Sequence, residues 1–349
     1  MYTATIGKRL IQALNERDGT DWTTRRFVAE SFFACMFNTD RYLIHLNNSP
    51  FAQAYNQKGK KPLTDAILGK CGEDVHRKIE ADERDASIYL GGASSGLLDS
   101  TSGQVTSLAR AVPADDVYAS WVGTALGITI EGGLTLLIDD PEVNLLLREG
   151  WDAYRELLDQ TPNLKGNQVN TWNGHWLTHR FGKHTPGEQW TPPTIKEDTS
   201  MPAISWVKLM FALAYHFRDT RQKVINAYVY LFNKTNKTAG FVRLNLPDVR
   251  RMVELHDRLF TVPDGLQVVA FENLYETELS FTKAFQCGEI GLRAIEPKGM
   301  FAYYTNRILP KAKADDKPER VVFFRAQKLW IIAMLNDDTL YKHAENLAV

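Results

Sequence analysis

Residues 165–193 read KGNQVNTWNGHWLTHRFGKHTPGEQWTPP and hold three of the chain's eight histidines and three of its eight tryptophans within 29 residues. Glycines at 174, 182 and 187 interrupt any helical pattern, so the stretch predicts a long connector loop, placed over 161–203. Loops of that length inside a compact domain are functional or disordered. The tryptophans argue for order, because each loses much if left in water. The position of the connector decides the expected fold. Helical patterns precede it, and a helix followed by strand patterns comes after it. The expected class is α+β: a mainly helical N-terminal portion, 1–160, then the connector, then a smaller strand-containing C-terminal portion, 204–349.

Working outward toward the N-terminus, Val143, Leu146, Leu147, Trp151, Tyr154, Leu157 and Leu158 form one helical stripe. It is opened by Asp139, Asp140 and Pro141 and stopped by Thr161-Pro162-Asn163. Helical spacing also joins Ile6, Leu10, Ile11 and Leu14, and Phe27, Val28, Phe32, Cys35 and Met36. Residues 114–126 are read as a further helix. The apolar stretch 123–138 carries Glu131 and Gly132-Gly133, and is too short and interrupted to span a membrane. Toward the C-terminus, 204–217 is a strongly apolar helix. Residues 224–246 then read as a β-hairpin turning at 233–238, rich in β-branched and aromatic residues. A helix beginning at Pro247, strands at 265–271 and 289–295, and an amphipathic helix over 320–335 complete the pattern.

The 349 residues leave room for two domains. Net charge is −1, from 41 basic and 42 acidic residues, so any polyanion is expected to meet a local basic patch. Three separated cysteines, Cys35, Cys71 and Cys287, suit a reducing compartment and form no CxxC zinc motif. Lys8 and Arg9 fall in a patterned polar helix, so no secretory leader is expected. The expected location is cytoplasmic.

Complete catalytic constellations are missing from the sequence. Gly92-Ala93-Ser94-Ser95-Gly96 matches the G-x-S-x-G nucleophile pattern, but after Leu98 the chain runs DSTSG rather than into a helix. His175 and His179 would share a helix face and, with His184 and Glu188, could form a tetrahedral metal site. Trp176 stands where H-E-x-x-H carries its glutamate, and the glycines oppose the helix, so no metal is expected there. Asp264, Glu296 and Lys298 supply the residue types of a magnesium-dependent PD-(D/E)-x-K nuclease, two carboxylates for the ion and a lysine for the attacking water. Asp315-Asp316-Lys317 is a second acid–x–lysine triplet, and Pro297 removes a ladder donor from the strand such a site needs.

Basic, amide and aromatic residues do cluster. Lys165, Asn167, Gln168, Asn170, Asn173, Arg180 and Lys183 lie among Trp172, Trp176 and Phe181. The hairpin segment 233–240, NKTNKTAG, contributes Asn233, Lys234, Asn236 and Lys237 and contains no acid. Lysines contact phosphates, side-chain amides read base edges and indoles stack on bases. The same residue types also build ordinary turns. The candidate nucleic-acid contacts are Lys165, Asn167, Gln168, Asn170, Trp172, Asn173, Arg180, Lys183, Asn233, Lys234, Asn236 and Lys237.

Gly150-Trp151, Tyr154-Arg155 and Leu157-Leu158, followed by Asn167-Gln168, Thr171-Trp172-Asn173-Gly174 and the 233–241 hairpin, resemble the Cas8-type large subunits of class 1 CRISPR surveillance complexes. The resemblance implies a non-catalytic subunit that docks on a guide-RNA complex and helps recognise or open target DNA. The partners it implies are target DNA, guide RNA and other protein subunits, with no membrane and no cofactor. The competing expectation is the nuclease built on Asp264, Glu296 and Lys298.

Overall fold

In the computed structural model, the structure describes residues 2–46, 48–59, 62–83, 112–182, 190–192, 200–220, 224–231, 237–259, 274–276, 288–300, 305, 317–335, 339, 343 and 346. The class is α+β, as the sequence predicts. In chain order the helices are α1 (Tyr2–Asp18), α2 (Thr24–Phe27), α3 (Phe33–Met36), α4 (Pro50–Gln57), α5 (Asp65–Glu80), α6 (Ala114–Ala125), α7 (Pro141–Gln160), α8 (Val169–Phe181), α9 (Trp206–His216), α10 (Leu246–Leu259) and α11 (Lys317–Leu335). A π-helical turn, Val28–Phe32, joins α2 to α3. The strands are β1 (Ile128–Ile130), β2 (Leu134–Ile138), β3 (Val224–Leu231), β4 (Lys237–Asn245), β5 (Tyr275–Glu276), β6 (Glu289–Ile290) and β7 (Glu296–Pro297). Backbone pairing gives a sheet of order β1-β2-β3-β4-β6 and a two-stranded sheet β5-β7.

The chain divides into two compact units. The first comprises Met1–Leu177, Gln189–Ile204 and Ala227–Phe241; the second comprises Thr178–Glu188, Ser205–Asn226 and Val242–Val349.

In the first unit, α1 and α6 cross with their backbones in contact. Gly7 faces the carbonyl of Ala119, and Gly123 faces the carbonyl of Thr3. A Cβ at either glycine would overlap that backbone. Around the crossing, Phe33, Phe37, Phe51 and Trp121 form an aromatic core, with the Phe37 and Phe51 rings stacked at 4.4 Å. Helix α7 starts as its sequence demands. The Asp140 carboxylate accepts from the Glu142 and Val143 amides at 3.1 Å, and Pro141 occupies the first turn. Its stripe, Val143, Leu147, Trp151, Tyr154 and Leu158, is fully buried.

Two corrections apply in this unit. The apolar stretch after α6, to which the sequence reading assigned no element, is a β-hairpin. Gly132 and Gly133 turn it with φ of +89° and +76°, and Ile128 pairs Leu136 in antiparallel register. Two glycines between runs of β-branched and leucine residues are a hairpin signal in their own right. Strand β2 in turn pairs β3, with Leu136 opposite Val229. The second correction is α8, which occupies 169–181 inside the predicted connector loop.

In the second unit, α9 and α10 pack together. Helix α11 is tied in by Tyr275, whose hydroxyl donates to the Ala326 carbonyl at 3.2 Å, and by Arg251, which donates to the Ala333 carbonyl at 3.1 Å. The predicted strand over 289–295 is instead the short β6, a 3₁₀ turn at Leu292–Ala294 and the short β7. The predicted strand at 265–271 lies outside the described residues. Among the described residues, no helix is long and apolar enough to cross a membrane.

Candidate nucleic-acid interface

Helix α8 forms although glycine sits in its interior, which costs about 1 kcal/mol relative to alanine. The compensation is packing. A Cβ on Gly174 would stand 2.7 Å from Ile204 Cγ2 and 3.3 Å from Ile128 Cγ2, so only glycine brings the helix this close to β1 and to residue 204. Gly182 then ends the helix, with its amide donating to the Thr178 carbonyl at 2.9 Å.

Of the tryptophans in this segment, Trp172 is buried and Trp176 and Trp190 are half-buried. Trp172 is 2% exposed; its ring stacks on Tyr154 at 5.1 Å and on Trp176 at 5.7 Å, and its Nε1 donates to the Gly150 carbonyl at 2.6 Å. Trp176 donates to the Leu146 carbonyl at 2.9 Å and lies against Gly150, which has no room for a side chain. Trp190 braces both rings, at 5.5 and 6.1 Å. The Tyr154 hydroxyl donates to the carbonyls of Lys165 and Gly166, and burial pushes its pKa far up.

The amides are engaged in the same way. Asn170 Nδ2 donates to the carbonyls of Thr124 and Gly127 at 2.8 and 3.0 Å; Asn173 Nδ2 donates to those of Ala125 and Gly127 at 2.8 Å each. These two asparagines satisfy carbonyls where α6 ends, where helix geometry leaves acceptors without partners. Gln168 donates to the Lys165 carbonyl at 2.9 Å and accepts from the Met201 amide at 2.8 Å. Asn167 Nδ2 reaches His45 Nδ1 at 3.3 Å.

The predicted contact set therefore does not assemble on one surface. Trp172 and Asn173 are buried and Asn170 and Gln168 are half-buried with internal partners, so these four are corrected to structural roles. Lys165 and Arg180 are exposed, on a loop and on the last turn of α8 respectively. Lys183, Asn233, Lys234 and Asn236 lie outside the described residues. Lys237 opens β4. Four residues on, Phe241 is 67% exposed while its neighbour Val242 is fully buried, so the strand turns a phenyl ring to solvent. Nothing in the sequence distinguished Phe241 from a core phenylalanine except its place after an acid-free hairpin.

For the histidines the outcome is mixed. The helix that His175 and His179 need does exist, contrary to expectation. However, His175 Nε2 donates to the Pro202 carbonyl at 2.7 Å, which engages one of the two imidazoles internally. His184 and Glu188 lie outside the described residues. Among the described residues, no group of three or more histidine, cysteine or carboxylate side chains is placed to hold a metal ion.

Of the alternative catalytic set, Asp264 and Ser94 lie outside the described residues. Glu296 sits on β7 directly opposite Glu276 on β5, a carboxylate the sequence did not single out. Glu276 Oε1 accepts from the Gly299 amide at 2.7 Å, and the Lys298 amide donates to the Leu274 carbonyl at 3.0 Å.

The residues that carry the CRISPR-subunit resemblance also hold the first unit together. Gly150 receives Trp176, Tyr154 stacks on Trp172, and the half-buried Arg155 guanidinium donates to the carbonyls of Cys35 and Arg41 at 2.6 and 2.9 Å. No family model, curated protein or solved structure matches the chain.

Proposed function

We propose that the chain is a non-catalytic nucleic-acid-binding and assembly subunit of a cytoplasmic nucleoprotein complex, of the surveillance type that the sequence resembles. Its nucleic-acid contact is the hairpin 233–241. The observation that carries this reading is Phe241, an aromatic ring two-thirds exposed at the end of a segment with two lysines, two asparagines and no acid. Cations meet phosphates and an exposed ring meets bases. A chain of net charge −1 has no bulk field to attract a polyanion, so a local feature of this kind must do it.

The test is binding of fluorescently labelled DNA and RNA by the purified chain, with magnesium or with EDTA, at two salt concentrations. Salt-sensitive binding without cleavage is expected, weakened by Lys234→Ala combined with Lys237→Ala. Magnesium-dependent cleavage that disappears in Glu296→Ala would overturn the reading in favour of the nuclease.

A further inference from the structure

We propose that α5 is an acid-released element: as pH falls below neutral, His76 stops accepting the Tyr118 hydroxyl proton, and α5 undocks from α6 while the rest of its unit stays folded. The proposal is independent of the nucleic-acid reading above. Its ground is how lightly the helix is otherwise held. Of the 16 residues of α5, the buried ones are Cys71, Val75 and Ile79, a single stripe at i, i+4 and i+8. Thr64 stands at the N-cap without a side-chain hydrogen bond to the first turn, and the Cys71 thiol meets the Pro50 carbonyl at a long 3.7 Å. Arg25 and Glu80 pair at 3.0 Å, but both side chains are more than half exposed, where water screens such a pair.

His76 is the polar centre of the contact. It is half-buried, its ring lies 5.4 Å from that of Tyr118 and 5.8 Å from that of Phe33, and its Nδ1 stands 2.9 Å from the Tyr118 hydroxyl. The direction of that hydrogen bond follows from a third partner. The Arg25 guanidinium also bonds the Tyr118 hydroxyl, and a guanidinium only donates. The hydroxyl oxygen therefore accepts from Arg25, and its single proton goes to His76 Nδ1, which must be unprotonated to take it. The docked ring is thus neutral, with its own hydrogen on Nε2. Protonation sets a hydrogen on Nδ1 against the hydroxyl proton and adds a second positive charge beside Arg25. Glu80, one turn further along α5, offsets part of that charge but is already paired with Arg25. The groups facing the imidazole from α2, α3, α5 and α6 are therefore Arg25, Phe33, Glu80 and Tyr118; α4, which also packs on α5, carries no charged side chain. Burial and Arg25 outweigh Glu80 and hold the docked ring neutral to lower pH than a ring in water, whose ordinary value is 6.5. An undocked His76 takes up its proton first, so docking is favoured above 6.5 and loses that advantage progressively below it.

The test is hydrogen–deuterium exchange of the full chain at pH 7.5 and 5.5, with rates corrected for the intrinsic pH dependence of exchange. The amides of α5 are expected to be at least about tenfold less protected than those of α1 at both pH values, because a lightly held helix opens on its own. At pH 5.5 they are expected to lose a further factor of roughly 3 to 10, since one histidine contributes at most about tenfold per pH unit. In His76→Gln, whose side-chain oxygen still accepts from Tyr118 and does not titrate, that further loss is expected to disappear. Equal protection of α5 and α1 overturns the proposal, as does an undiminished loss in His76→Gln or no loss in the parent chain. If His76→Gln does not fold, the parent chain decides: the Cδ2 chemical shift of His76 in isotope-labelled protein at pH 7.5 is expected to mark the Nε2-protonated tautomer, and the Nδ1-protonated tautomer overturns the proposal.

Discussion

Trp172 stacks with Tyr154 at 5.1 Å and with Trp176 at 5.7 Å, and its one donor is satisfied by Gly150. Truncating such a residue removes its whole buried area and leaves a cavity. Trp172→Ala is expected to destabilise the protein by about 3–5 kcal/mol, read as a lowered denaturation midpoint at unchanged slope. Trp172→Phe keeps most of the stacking and loses the hydrogen bond, so a smaller loss is expected. His76 gives a pH-dependent case. Its Nδ1 meets the Tyr118 hydroxyl at 2.9 Å, its ring lies beside Phe33, and burial, reinforced by Arg25, lowers its pKa below the usual 6.5. The unfolded chain therefore takes up a proton on this histidine before the folded chain does. Stability contributed at neutral pH is lost as pH falls below 6.5, down to the folded-state value. His45 is lowered by burial as well and acts in the same direction. Melting temperatures at pH 7.5 and 5.5 are expected to differ less in His76→Gln, which can still accept a hydrogen bond from Tyr118.

At the scale of elements, α8 shows what periodicity can and cannot reveal. Its inward positions include Asn173 and Gly174 alongside Val169, Trp172, Leu177 and Phe181, so no clean apolar stripe marks it. The asparagines point inward because the end of α6 supplies carbonyls for them, and the glycine because Ile204 and Ile128 leave no room. Both reasons lie far away in sequence. By contrast α7, with its Asp140 cap, Pro141 and continuous apolar stripe, and the β3–β4 hairpin were legible from local residues alone. The π-helical turn at Val28–Phe32 has no local signature either, since the apolar spacing across 27–36 reads as one helix. The α1–α6 crossing yields a sharp expectation. Gly123→Ala improves helix propensity by about 1 kcal/mol, yet it drives a methyl into the Thr3 carbonyl, which is backbone and cannot rotate away. Overpacking is expected to win, with a net loss of roughly 1–3 kcal/mol or more by chemical denaturation, and Gly7→Ala should behave alike.

For the whole molecule, the α+β class and the order of most elements follow from composition and periodicity, whereas the candidate site does not. Charge and residue type placed tryptophans, asparagines and lysines together in one dimension. Burial then separated them, sending Trp172 and Asn173 inward and turning Phe241 out. With 41 basic against 42 acidic residues, the chain has no net positive field for a polyanion, so the proposed phosphate contacts are local. The logarithm of the association constant for single strands is accordingly expected to fall only shallowly with the logarithm of salt concentration. Removing Lys234 and Lys237 should reduce that slope by about 1.4, at roughly 0.7 for each phosphate left unneutralised. A steep slope unaffected by those changes would place the contact elsewhere on the chain.

The clustered side chains Tyr154, Trp172, Trp176 and Trp190 have an optical consequence. Indoles 5.5 to 6.1 Å apart exchange excitation, so their transitions couple and give a circular-dichroism couplet that a lone tryptophan cannot produce. That couplet should weaken and change shape in Trp176→Phe, which removes two of the three indole pairs and leaves Trp172 beside Trp190. In the parent protein it offers an unlabelled signal that reports the seating of α8 during unfolding or partner binding, independently of total helix content.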